Sequence, residues 1–139
     1  MTAASREFLD TNIVVYAFTD DPRNEKALAL LAKGCVVSVQ VLNEFANVAR
    51  RKLGMSWSEI GEALTSIRSV CPAILPMDVD THSLAMEIAK QHGCSVFDAL
   101  MIAAALQGEC ETIWSEDMQD GLVVEGRLRI ENPFKSFPG

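Results

Sequence analysis

Four carboxylates in this chain sit where a short apolar run gives way to a helix or a loop. Asp10 follows Phe8-Leu9 and opens Asp10-Thr11-Asn12. Glu44 lies early in a helical stretch after Val36-Val37-Ser38. Asp98 closes Ser95-Val96-Phe97-Asp98, at the head of an alanine-rich helix, and Asp117 follows Thr112-Ile113-Trp114-Ser115. In open parallel α/β sheets, ligands bind outside the carboxyl ends of the strands. Acids delivered there by four segments can converge, and like charges brought together repel unless a cation lies between them. Oxygen-only donors favour a hard divalent ion such as Mg²⁺ or Mn²⁺. An ion held that way is suited to phosphodiester hydrolysis.

Each acid also has a structural use when taken alone. Asp10 or Thr11 can cap a short helix from Asn12 to Ala17. Glu44 can be a solvated helix residue, near the edge of the apolar stripe Leu42, Phe45, Ala49 and Leu53. Asp98 can favour the positive end of its helix dipole. Its helix is apolar nearly all round, however, and an acid at the mouth of a buried helix is less ordinary. Asp117 has acidic neighbours in Glu116 and Asp120, so the sequence leaves open which one turns inward. The joint placement of the four, one per strand exit, is what points to a site.

No rival catalytic set is present. The chain has neither a G-x-x-x-x-G-K-[ST] phosphate loop nor a G-x-S-x-G elbow. His82 and His92 fall in one expected helix, apart from the acids, and read as surface or cap residues. The four cysteines, Cys35, Cys71, Cys94 and Cys110, form no C-x-x-C pair, which with two histidines argues against zinc. They read as buried free thiols and favour a reduced, cytoplasmic compartment.

The elements that must hold the acids alternate. Short strands are expected at Phe8-Leu9, Cys35-Val37, Ala73-Leu75, Thr112-Trp114 and Leu128-Ile130. Asp20-Asp21-Pro22 reads as a helix start, Ser38 and Ser95 as caps, Ser56 to Glu59 as a capping box, and Thr81 as the cap of the following helix. Gly34, Gly93 and Gly108 mark helix ends. Such alternation implies an α/β domain with a central parallel sheet of about five strands covered on both faces. At 139 residues and 49% hydrophobic, with mean hydropathy +0.15, the chain is expected to form one domain with ample core over residues 1–139. It contains no apolar run of the ~18 residues that a membrane span needs, and its start lacks the pattern of a signal peptide.

The net charge of −7 is unusual for a chain that would grip nucleic acid by its own field. Bound divalent ions would cancel part of it locally. The clearest basic cluster, Arg50-Arg51-Lys52, also suits the carboxyl end of its helix.

Phe8-Leu9-Asp10-Thr11-Asn12, Asn43-Glu44-Phe45, Phe97-Asp98-Ala99-Leu100 and Ser115 to Gly121 together resemble the PIN-domain ribonucleases, and more narrowly the VapC-type toxins of bacterial toxin–antitoxin pairs. The resemblance runs from Phe8 to about Pro133. It implies a three-layer α/β/α domain, a homodimer, and Mg²⁺- or Mn²⁺-dependent endoribonuclease activity blocked by a cognate antitoxin. By the same resemblance Asp10, Glu44, Asp98 and Asp117 match the metal-binding acids. Asn12 and Ser115 match polar positions beside them, and Asp120 is an extra acid of open role. Two other classes remain as alternatives. One is a haloacid-dehalogenase-like phosphatase, which has an aspartate after a buried strand and a second one two residues on, where this chain has Asn12. The other is a non-enzymatic interaction domain that uses the acids for a regulatory ion.

Overall fold

A computed structural model of the chain describes residues 6–135. Strand β1 (Glu7–Leu9) leads into α1 (Thr11–Tyr16) and α2 (Asn24–Ala32). Strand β2 (Val37–Ser38) runs directly into α3 (Val39–Arg51), followed by α4 (Trp57–Val70) and β3 (Ile74–Leu75). Helices α5 (Val79–His92) and α6 (Val96–Gln107) precede β4 (Thr112–Trp114), β5 (Val123–Val124) and β6 (Leu128–Glu131).

Four strands pair in the order β1-β4-β6-β5, and β2 pairs with β3. A parallel bridge between Phe8 and Val36 links the two groups, with Leu9 donating to the Val36 carbonyl at 3.0 Å. The β1–β4, β4–β6 and β2–β3 pairings are parallel. This is the mixed α/β fold, with a central and mostly parallel sheet, that the alternation implied.

The sheet also contains an unexpected antiparallel strand. Val123-Val124 folds back on β6 through a tight turn in which Glu125 and Gly126 both have positive φ, 55° and 68°. That geometry matches the right-handed twist of the flanking strands. Two residues are too few to show an alternating pattern, so β5 was invisible in the sequence.

Two helix starts differ from expectation. Helix α2 begins at Asn24, not at Asp21-Pro22, because the Asp21 carboxylate accepts both the Arg23 backbone N–H and its guanidinium and holds those residues in a turn. Helix α5 is capped by Asp78, and Thr81 is its reciprocal partner three residues in. The Ser38 and Ser95 caps and the Ser56–Glu59 capping box form as read.

Helix α6 is buried along most of its length, from Ala99 and from Met101 through Leu106, and packs on α5, α3 and β2. Its apolar surround fixes its N-terminus, and therefore Asp98, relative to the sheet. Helix α1 packs on α2 and α3, and α3 packs on α4. Phe45 and Ala49 are the buried face of α3, whereas Leu53 is exposed beyond the helix end. Cys35, Cys71 and Cys110 are buried free thiols, and Cys94 is half-buried. Burial raises the thiols' proton affinity, to about 12 for Cys35 and about 11 for Cys71 and Cys110. Among the described residues no helix is long and apolar enough to cross a membrane.

Candidate functional site

Strand register creates the centre of the site. Leu9 stands opposite Trp114 in the parallel β1–β4 pair, so the next residues, Asp10 and Ser115, emerge side by side. The Asp10 N–H donates to the Trp114 carbonyl at 3.0 Å, and the Ser115 N–H to the Glu131 carbonyl at 2.9 Å. Asp10 is only 7% exposed and Ser115 is fully buried. Asp10 serves two roles at once. One carboxylate oxygen accepts the Thr11 N–H at 2.7 Å and caps α1, and the other accepts the Ser115 hydroxyl at 2.8 Å.

Glu44 arrives from the second turn of α3. The Thr11 hydroxyl donates to its Oε1 at 3.0 Å, and Gln40, one turn earlier, donates to Oε2 at 2.9 Å. Asp98 is the third residue of α6, half-buried, with its backbone N–H held by the Ser95 hydroxyl at 3.1 Å. Asp117 lies in the loop after β4 and accepts a hydrogen bond from the Asn12 amide.

Electrostatics connects all four acids. Burial pushes the Asp10 carboxyl up to about 6, against the pull of the Ser115 and Thr11 donors, and the charges of Asp98 and Glu44 push the same way. The Asp98 carboxyl is raised first by burial, then by the charges of Asp117 and Glu44. Among the described residues, no Lys or Arg pairs with any of the four. The charges of Glu44, Asp98 and Asp117 thus add to burial in raising the proton affinity of Asp10 and Asp98, and the four acids form a patch of negative potential. Among the described residues no three such groups close into a tight ligand cage. Each of three carboxylates is engaged by neutral donors: Thr11 and Gln40 on Glu44, Asn12 on Asp117, and Ser115 on Asp10. The donor set is all oxygen, and Asp10, Glu44, Asp98 and Asp117 are side chains of the kind that would hold a hard divalent ion.

The acidic loop after β4 divides its residues by role. Glu116 turns away to Tyr16 at 2.6 Å and to Arg23 at 2.7 Å, leaving Asp117 facing the site. Asp120 also turns away: its Oδ1 accepts the Asn132 N–H at 2.7 Å, and Lys135 lies 3.8 Å from Oδ2. It fastens the segment after β6 to the loop and does not join the four acids.

Three contributors escaped sequence reasoning. Thr11 and Gln40 orient Glu44, and nothing local in the sequence announces contacts that depend on α1 packing against α3. His92 is the third. Expected to lie apart from the acids, it closes α5 and lines a cavity of about 250 Å³ together with Asp98, Asp117 and Cys94. The link between α5 and α6 is so short that His92 had to fall near the mouth of α6, which was the available signal.

Comparison with known proteins identifies the family. Residues 8–119 match the PIN domain family, and the chain belongs to that family. No curated protein sequence matches it. Among solved structures, it resembles a toxin–antitoxin complex from Klebsiella pneumoniae, with TM-score 0.70 and 16% identity over 91% of this chain and 97% of the other. VapBC2 from Rickettsia felis, solved bound to a promoter DNA fragment, gives TM-score 0.65 and 23% identity over 91% and 97%. VapC20 from Mycobacterium tuberculosis, a toxin that cleaves the sarcin–ricin loop, gives TM-score 0.62 and 19% identity over 80% and 91%. Membership of the PIN family removes the dehalogenase-like phosphatase as an alternative. The position two residues after Asp10 agrees, since Asn12 is a neutral donor to Asp117.

Proposed function

We propose that this chain is a metal-dependent endoribonuclease and the toxin member of a toxin–antitoxin pair, with Asp10, Glu44, Asp98 and Asp117 as ligands of Mg²⁺ or Mn²⁺. The observation that carries this proposal is a set of four acids, in which the charges of Glu44, Asp98 and Asp117 act on Asp10 and Asp98, with no basic side chain paired to any of the four among the described residues. PIN-family membership and the toxin folds among its structural relatives support the same function.

A bound divalent ion would polarise a phosphoryl oxygen and lower the pKa of its water, making hydroxide available near neutral pH. The chain's own residues set the stage. Ser115 and Thr11 each bond one oxygen of the Asp10 carboxylate and so fix its orientation. Gln40 and Thr11 hold the two oxygens of Glu44, and Asn12 steadies Asp117. Burial of Asp10 excludes bulk water from behind the ligand set, which strengthens every charge interaction in front of it.

As a toxin, the protein would form a homodimer in the cytoplasm and bind a cognate antitoxin. The purified chain should cut single-stranded RNA with Mg²⁺ or Mn²⁺, stop in EDTA, and leave a small phosphate ester intact. Undiminished RNA cleavage in EDTA would exclude the metal mechanism. Ester hydrolysis without RNA cleavage would exclude the nuclease function.

A further inference from the structure

A groove of about 450 Å³ opens on Glu44 and is lined by Gln40, Asn43, Glu44, Asn47, Val48 and Phe97. One lining residue, Glu44, is itself one of the four acids, and Phe97 is the residue before Asp98. Whatever fills the groove therefore touches one of the four proposed ligands and the neighbour of another. Phe97 is 61% exposed although it sits on the most buried helix of the protein. Its position at the second residue of α6 turns the ring outward, while Ala99 and Met101 onward enter the core. Within the single chain the Phe97 ring has no part in the core.

The rest of the lining is neutral and amide-rich. Asn43 and Asn47 are one helical turn apart and exposed on the same face of α3. Gln40 spends its amide N–H₂ on Glu44, which leaves its carbonyl oxygen available as an acceptor. No Lys or Arg lines the groove, so it is not built for a phosphate. An aromatic wall for stacking and side-chain amides for edge hydrogen bonds are the two elements used to read unpaired bases in RNA. Asn and Gln pair especially well with an adenine edge. Further along the same face of α3, one turn beyond Asn47, lies the exposed Arg51, where the backbone of a strand leaving the groove would meet positive charge.

We propose that this groove is a nucleobase subsite. One unpaired base next to the scissile phosphate stacks on Phe97, and its edge is read by Asn43 and Asn47. This specificity rests on the nuclease function proposed above, but base binding is measurable without cleavage.

The test uses a fluorescein-labelled single-stranded RNA decamer with Ca²⁺ as the charge-neutralising ion, its integrity checked on a gel. Binding is compared for the wild type, Phe97→Ala and Phe97→Tyr, on the intact decamer and on decamers abasic at each position in turn. Because Phe97 is exposed, neither variant disturbs the core. Losing one stacked base weakens binding by about 5- to 150-fold. Phe97→Ala should show a loss in that range, while Phe97→Tyr stays within about threefold of wild type. One abasic position should reproduce the loss in the wild type and add nothing further in Phe97→Ala. Unchanged binding by Phe97→Ala, or an effect that is additive with every abasic position, overturns the subsite. If Phe97→Ala shifts the oligomeric state while RNA binding is unaltered, the groove is a protein interface and the proposal is also wrong. Wild-type RNA cleavage without the base-specific pattern removes the subsite and leaves the nuclease function standing. The pattern without cleavage in any divalent ion does the reverse.

Discussion

The Ser115 hydroxyl donates to Oδ2 of Asp10 at 2.8 Å, joining the ends of two strands that are neighbours in the sheet and 105 positions apart in the chain. This contact holds the most buried of the four acids in its charged form against the effect of burial. Ser115 also accepts the Met118 N–H at 3.2 Å, so it shapes the loop that carries Asp117. Ser115→Ala should therefore reach two of the four acids at once. A hydrogen-bond partner that orients a metal-binding carboxylate is worth about 10- to 100-fold in metal affinity. Mn²⁺ binding followed by calorimetry should weaken by about that factor while the fold persists. Unchanged affinity would show that Ser115 is a packing residue only.

Asp10 also makes the stability of the metal-free protein depend on pH in a defined direction. Its ordinary value is 3.8, and burial raises it to about 6 in the folded state. Between those values the folded protein keeps a proton that the unfolded chain has released. Stability is therefore favoured below about pH 4, falls as pH rises toward 6, and levels off above it. Asp98 shifts in the same direction. Glu7, Asp21 and Asp78 shift the opposite way, so the contribution of Asp10 must be read as a difference between proteins. In EDTA at pH 7, Asp10→Asn should be more stable than wild type, on the order of 2 kcal/mol. Asparagine still caps α1. The gap should close by pH 4 in urea unfolding. A gap independent of pH would mean that Asp10 is not raised by burial.

What was legible in the sequence was what local chemistry determines. Ser56 and Glu59 announce their capping box, Ser95 its cap, and the apolar surround of α6 its burial, because each depends on residues within a turn or two. Asp10, Glu44, Asp98 and Asp117 were visible as acids at strand exits, yet the bonds that orient them were not. Thr11 to Glu44 and Asn12 to Asp117 arise only once α1 lies against α3 and β1 against β4. Asp120 shows the converse problem. Its type and position equal those of a site acid, and only the path of the chain after β6 turns it toward Asn132.

Asp120→Ala separates those two kinds of acid. It removes the acceptor for the Asn132 N–H and the partner of Lys135, and touches none of the four clustered carboxylates. The expected result is a loss of about 1 kcal/mol in stability, with metal affinity and RNA cleavage within about twofold of wild type. A loss of metal binding as large as that of Asp98→Asn would place Asp120 in the site after all.

Asp98→Asn should have the opposite profile. Asp98 faces the charges of Asp117 and Glu44 without a basic partner, and burial adds to the penalty. The Ser95 hydroxyl bonds the backbone N–H of residue 98, so the substitution keeps the helix cap. In EDTA the variant should melt at or above the wild-type temperature, while cleavage of RNA in Mg²⁺ is abolished. A variant that cleaves at the wild-type rate removes Asp98 from the site. A variant that melts lower shows that the carboxylate is structural.

The same unbalanced charge sets what an inhibitory partner must carry. Four acids without a basic neighbour can accept an inserted Arg or Lys in place of the metal, and Arg suits them best because its planar fork bonds two carboxylate oxygens at once. An open groove between α1 and the end of α3 is lined by Asn12, which bonds Asp117, and by Tyr16, Asp20, Asp21, Lys52 and Leu53. Beyond the groove, exposed Trp57 carries Arg50 over its ring at 5.1 Å and offers apolar surface for a partner segment, whereas Phe45 is committed to the core. A cognate antitoxin should therefore place a basic side chain among Asp10, Glu44, Asp98 and Asp117. Replacing that residue by Ala should restore Mn²⁺ binding and RNA cleavage within the complex, while Trp57→Ala weakens the complex itself. Co-purification with the partner, followed by calorimetry on the complex, measures both. A complex that binds Mn²⁺ as tightly as the free protein would show that inhibition does not act through the acids.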